Sequence, residues 1–189
     1  MSRPSLSAPL PSCSTRARRR AGRRALLGLL IVLAPSAAAL DVAGLGAAIT
    51  RLELEGGGGD GYWRLVAGGR AVVVTADAAH DRLRIQAHVT AAEALDEALL
   101  RRVLAANFGT AGDARYAIDG TTLWSVYVHP MASLDAEGFA VALAQVVNLA
   151  ADFGQDYGSG LFTTRAGAGT PRGRELIDAL RGRLSPTTP

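Results

Sequence analysis

Residues 82–89 alternate strictly. Leu83, Ile85, Ala87 and Val89 fall on one face of an extended chain, and Arg82, Arg84, Gln86 and His88 on the other. A period of two with one apolar and one polar side describes a strand in a sheet that is dry on one face, the usual pattern of antiparallel pairing. Two strands precede it, Tyr62–Ala67 and Arg70–Ala76, around the hairpin signal Gly68-Gly69. Two more follow, Asp113–Ile118 and Thr121–His129, around Asp119-Gly120, and Pro130 stops the second. Gly56-Gly-Gly-Gly-Asp60-Gly61 reads as a flexible connection. Residues 40–55 fit a helix through Val42, Leu45, Ile49 and Leu52, or an alternating strand from Ile49 to Glu55.

Helices separate these strands. Thr90 and Glu93 have the spacing of a capping box, and the helix they would open runs to about Asn107, with Gly109 as a left-handed cap. Leu95, Leu99 and Val103, with Leu100 and Leu104 beside them, form its apolar stripe. Ser133 is the expected cap of a second helix reaching Phe153, with Phe139, Leu143, Val146, Val147 and Ala150 facing the core. Gly154–Thr170 reads as loop, and a short helix after Pro171 would use Leu176, Ile177 and Leu180. The fold class is α+β: an antiparallel sheet of about five strands with helices packed on one face.

Charge divides the chain. All 20 basic residues are Arg, and seven of them lie in residues 1–39, which hold no acid. The remainder has 13 Arg against 17 acids, a net charge of −4. After the basic run comes the apolar segment Ala25–Ala34, then Pro35 and small residues through Ala37 and Ala39, the order of a secretory signal peptide. The apolar segment is short of the ~20 residues that span a bilayer. Cleavage gives a periplasmic or secreted protein; an uncleaved leader gives an inner-membrane anchor. The expected organisation is a leader at 1–39, an α+β domain at 40–165, and a C-terminal tail at 166–189 with a short helix. Cys13, the single cysteine, lies in the leader, so the rest of the chain has neither a thiol nor a disulfide.

Composition excludes several chemistries. Without Lys there is no Walker A loop and no Schiff-base or general-base lysine. His80, His88 and His129 lack metal-ligand spacing, so no metal is assigned. Gly158-Ser159-Gly160 lacks the outer spacing of a nucleophile elbow, and Gly167-Ala168-Gly169 follows no strand, so no catalytic residue and no cofactor are assigned. Scattered Arg on an acidic remainder argues against a nucleic-acid partner. The arm Leu123-Trp-Ser-Val-Tyr-Val128 reads as a central strand buried on both faces or as an interface. Ala71–Val74 has the same two readings.

The run Leu99–Gly109, then Ala114–Gly120, then Leu123–Pro130, then Leu134-Asp135 and a long apolar helix resembles the YbjN-like and type III secretion chaperone-like (CesT-like) superfamily. The resemblance spans residues ~70–155 by element order. It implies an α+β domain that dimerises and binds proteins without enzymatic chemistry. Secretion chaperones hold effector segments in extended form along apolar grooves, and they are acidic. They work in the cytosol, and the leader departs from that. The resulting expectation is an exported, non-catalytic, chaperone-like or regulatory domain that forms a homodimer and binds a protein partner. Leu123, Trp124, Val126 and Tyr127 are the expected contacts. A membrane role enters only through an uncleaved leader, as a structural envelope protein. The remaining rival is a periplasmic enzyme whose carboxylates (Asp77, Asp81, Asp113, Asp119) converge in space.

Overall fold

The computed structural model describes residues 39–161 and 171–185. The expected leader, apart from Ala39, lies outside the described residues, as does the second half of the expected loop at 154–170. Asp41 starts the first element. Its Oδ1 accepts a hydrogen bond from the Gly44 amide at 2.6 Å and caps α1, Val42–Arg51. Of the two readings of 40–55, the helix is the one adopted, with Leu45, Ala48 and Ile49 buried along one side.

The glycine run expected as a flexible connection is a strand. β1 (Glu55–Gly59) pairs antiparallel with β2 (Tyr62–Ala67). Gly56 and Gly58 have φ +119° and +153°, and a Cβ on either would collide with a carbonyl oxygen of β2. Only glycine lets this backbone close on its neighbour. The pairing also supplies hydrogen bonds that a loop would leave to water. The sheet therefore has six strands rather than about five.

β3 (Arg70–Asp77) and β4 (Arg82–Ala91) continue the meander. After α2 (Glu97–Gly109), β5 (Arg115–Asp119) takes the far edge, and β6 (Thr122–His129) returns between β5 and β4. The order is β1-β2-β3-β4-β6-β5, antiparallel throughout.

Both expected helix caps are displaced. Thr90 stays in β4, which continues past a bulge between His88 and Thr90 to pair with Leu123 and Thr122. The next amide, Ala92, donates to Thr121 O at 2.7 Å. The helix starts later, where Asp96 Oδ1 accepts from the Leu99 amide at 2.8 Å. Ser133 sits in a 3-10 turn and donates its hydroxyl to Pro130 O; Asp135 caps α3 (Ala136–Ala151) through Gly138 N at 2.7 Å. In both cases a later carboxylate does the capping, six residues after Thr90 and two after Ser133, because the polar residue expected there is already committed.

α3 is buried on nearly every side, from Phe139 and Ala140 through Ala150. A helix apolar all round must lie between two layers. Here they are the inner face of the sheet (Trp63, Leu65, Val72, Val74, Leu83, Ile85, Leu123) and α4 (Pro171–Leu184), with Ile177, Leu180 and Leu184 buried. The segment expected as a tail thus holds a 14-residue helix that belongs to the packed body. Asn148 Nδ2 ties it in, donating to Ser159 O at 3.0 Å and Gly173 O at 2.8 Å. Arg51 and Arg183 join α1 to the end of α4 through Leu184 O and Leu52 O. No helix among the described residues is long and apolar enough to cross a membrane.

Candidate functional site

The expected contact strand is divided by its own pleat. Leu123 and Tyr127 turn inward and are 1% and 7% exposed, so they are core residues and unavailable to a partner. Trp124 and Val126 turn outward and are half-buried, and Val128 beside them is 52% exposed. Of the two readings of this arm, each face takes one: the inner is core, the outer is open. β3 divides the same way, with Val72 and Val74 inside and Ala71 and Val73 outside.

The outer face carries a groove of about 500 Å³ that crosses five strands, from Glu55 and Gly56 on β1 to Trp124 on β6. Val66, Val73 and His88 line it together with the polar Arg64 and Gln86. His88 meets the Trp124 ring edge-on at 5.9 Å between centroids.

A second apolar surface lies on α2. The expected stripe is only partly buried: Val103 and Ala106 are inside, whereas Leu95 and Leu99 are half-buried. Leu100, Leu104 and Phe108 face solvent at 36%, 67% and 97% exposure. Their spacing of four makes one continuous strip on a helix, and Ile118 on the adjacent edge strand is 50% exposed. The sequence carried this signal. α2 has two apolar stripes offset by one residue, 99/103 and 100/104/108, and one core face accommodates only the first.

The edge of β5 next to α2 is closed by a side chain. Asn107 Oδ1 accepts from the Tyr116 amide at 2.7 Å, and its Nδ2 donates to Tyr116 O at 3.0 Å. The amide thus imitates a neighbouring strand at one residue and pins the helix to the sheet edge.

The carboxylates do not converge. Asp77 folds back on its own turn, with Oδ1 accepting from the amides of Ala79 and His80 at 3.0 and 3.2 Å, and Oδ2 lying 2.7 Å from His80 Nδ1. The His80 side-chain contact, aided by its amide, holds this carboxyl below the usual aspartate range. Asp81 accepts from the Ala132 amide at 2.9 Å, and Asp113 is joined to Gln145 on α3. Among the described residues no group of three or more His, Asp or Glu is placed to hold a metal ion. Burial, with Asp113 contributing, pushes the Tyr127 hydroxyl up to about 12. Burial raises Tyr116 further, and its hydroxyl donates to Leu149 O at 2.7 Å. Both phenols are therefore un-ionised at neutral pH.

A six-stranded antiparallel sheet with helices on one face is the architecture of a type III secretion chaperone-like, protein-binding fold. The chain belongs to the Tir chaperone protein (CesT) family, whose profile matches residues 57–153, just over half of the chain. The match runs from β1 to the end of α3 and leaves out α1 and α4. Among solved structures, the chain is similar to the ExsC-ExsE complex at 22% identity and a TM-score of 0.47, covering 57% of this chain and 86% of that one. It is also similar to the HopA1-SchA chaperone-effector complex at 14% identity and a TM-score of 0.48, covering 59% of this chain and 90% of that one. No curated protein compared with it is significantly similar.

Proposed function

We propose that this chain is an exported, non-catalytic protein-binding domain, chaperone-like or regulatory, that acts as a homodimer. The observation that carries the dimer is the strip Leu100, Leu104 and Phe108 on α2, left in water by the fold. Burying each such side chain contributes roughly 1.5–3 kcal/mol. A two-fold axis sets the same strip against itself, so one surface serves both partners. This moves the expected dimer contact from β6 to α2 and leaves the outer sheet face free for a protein partner. Membership of a family named for chaperoning another protein supports that second role. The carboxylates are spread over turns, which favours binding over catalysis. Export rests on the Arg-rich, then apolar, then small-residue order of residues 1–39.

Molar mass measured by light scattering over a concentration series tests the dimer. The chain is expected to run as a dimer, and the double variant Leu104→Glu, Phe108→Glu as a monomer with an unchanged circular dichroism spectrum. A wild-type chain that stays monomeric throughout would sink the proposal. N-terminal sequencing of the protein from cell envelope fractions tests export. A start near Leu40 supports cleavage, and an intact Met1 in the membrane fraction favours the anchored form. A full-length cytosolic protein contradicts both.

A further inference from the structure

We infer that the folded domain conceals the bond at which its leader is removed, so that cleavage must precede folding. This rests on the export reading above and specifies how that step is regulated. The small residues Ala37 and Ala39 direct hydrolysis to the Ala39–Leu40 amide. Water adds across that bond, leaving a carboxylate on Ala39 and an ammonium on Leu40. A peptidase takes the residues around the bond as an extended strand, so they must be free to leave the fold.

No spacer separates this bond from the packed body. Ala39 is exposed, but Leu40 is only 7% exposed and belongs to the core. The nitrogen of the scissile amide donates to Leu134 O at 2.8 Å. That acceptor is itself fixed, because Leu134 is buried and donates its own amide to Met131 O at 3.0 Å. The next residue, Asp41, caps α1 through the Gly44 amide, and the helix begins at Val42. The chain is therefore committed from the first residue after the bond.

Drawing the bond out of this seat disturbs more than one hydrogen bond. Leu45 and Ile49 are buried along α1, and Leu52 is buried at its end. Arg51 donates to Leu184 O and Arg183 to Leu52 O, which ties the helix to α4. Chain ends commonly fray and are cut there; this junction opens only when α1 comes away. Where opening is fast relative to cutting, the rate of cutting follows the open fraction. Cleavage itself leaves the fold intact, because the new ammonium still carries a donor for Leu134 O. The order of events then decides the product. A chain cut while extended folds as the mature domain, and a chain that folds first keeps its leader and becomes the membrane-anchored form.

The test gives the folded full chain to a bacterial leader peptidase in detergent micelles, and mass spectrometry follows the loss of residues 1–39. Two variants accompany it. The double variant Leu45→Glu, Ile49→Glu releases α1 without altering the residues next to the bond. In the other, about eight Gly and Ser residues inserted between Leu40 and Asp41 give the junction a free strand of ~25 Å while the domain stays folded by circular dichroism. Both variants are expected to be cut between Ala39 and Leu40 roughly a hundredfold faster than the wild-type chain. Equal rates for the wild-type and linker chains, at this bond or one before it, overturn the concealment and leave the export reading standing. Cleavage of none of the three chains overturns the export reading, and this inference with it.

Discussion

Helices α2 and α3 flank the same hairpin and are both rich in Ala and Leu, yet they meet opposite surroundings. α3 lies between the sheet and α4, and even its polar residues Gln145 and Asn148 are buried and hydrogen-bonded to loops and to α4. α2 leans on the edge of β5, buries Val103 and Ala106, and leaves Leu100, Leu104 and Phe108 in water. Composition separates them only in part: α2 carries Glu97, Arg101 and Arg102, and α3 the single charge of Glu137. Position does the rest: a helix over the middle of a sheet can be covered twice, whereas one at the edge is covered once. The uncovered side is the side available for function.

The sharpest way to break this comparison is to truncate a phenylalanine on each helix. Phe139→Ala on α3 should cost ~3–5 kcal/mol in chemical denaturation, because the cavity forms where nothing can collapse. Phe108→Ala on α2 should change the folding of the monomer by no more than about 0.5 kcal/mol, measured in a Leu104→Glu background at a concentration where the chain is monomeric. Comparable losses at the two sites would mean that α2 is not bare. Next in size is the clamp that fixes α2 to the edge. Asn107→Ala should cost about 1–3 kcal/mol by leaving the Tyr116 amide and carbonyl unpaired. Hydrogen exchange at the Tyr116 amide should accelerate in that variant, and unchanged exchange would show that the clamp is dispensable.

The caps give a finer contrast. Asp96→Ala and Asp135→Ala should each cost about 1 kcal/mol, and Thr90→Ala and Ser133→Ala clearly less. The reverse ranking in thermal melts would restore the caps expected from sequence. The smallest effect concerns pH and the β3–β4 turn. The Asp77 carboxyl titrates below its ordinary range when folded. Its contribution is therefore complete above that range and lost as pH falls through the folded value. Asp77→Asn should flatten the acid limb of the melting-temperature profile below about pH 4. An unchanged limb would mean that another carboxylate governs it.

Local chemistry that a short window contains was legible in the sequence. The Gly68-Gly69 and Asp119-Gly120 hairpins, the alternation of β4 and the apolar stripe of α3 all appear in the structure at or near their expected positions. Failures came where pairing between strands decided the outcome. The glycine run became β1 because β2, just past the turn Asp60-Gly61, offered a free edge. Thr90 was lost as a cap because β6 held β4 extended past the bulge. Of the expected contacts, Trp124 and Val126 lie on the outer face and Leu123 and Tyr127 in the core, a division that the pleat already gave by parity. Phe108 was read only as the end of a helix.

By itself, then, the sequence determined most of the elements, their amphipathic periods and the Arg-rich composition of residues 1–39, since these follow from the residues within a short window. The tertiary structure decided which apolar stripe is core and which is surface. That choice depends on how many layers cover an element: α3 has two, α2 has one, and the outer face of the sheet has none. The tail became a packed helix for the same reason, because the far side of α3 required a cover and residues 171–184 supply it.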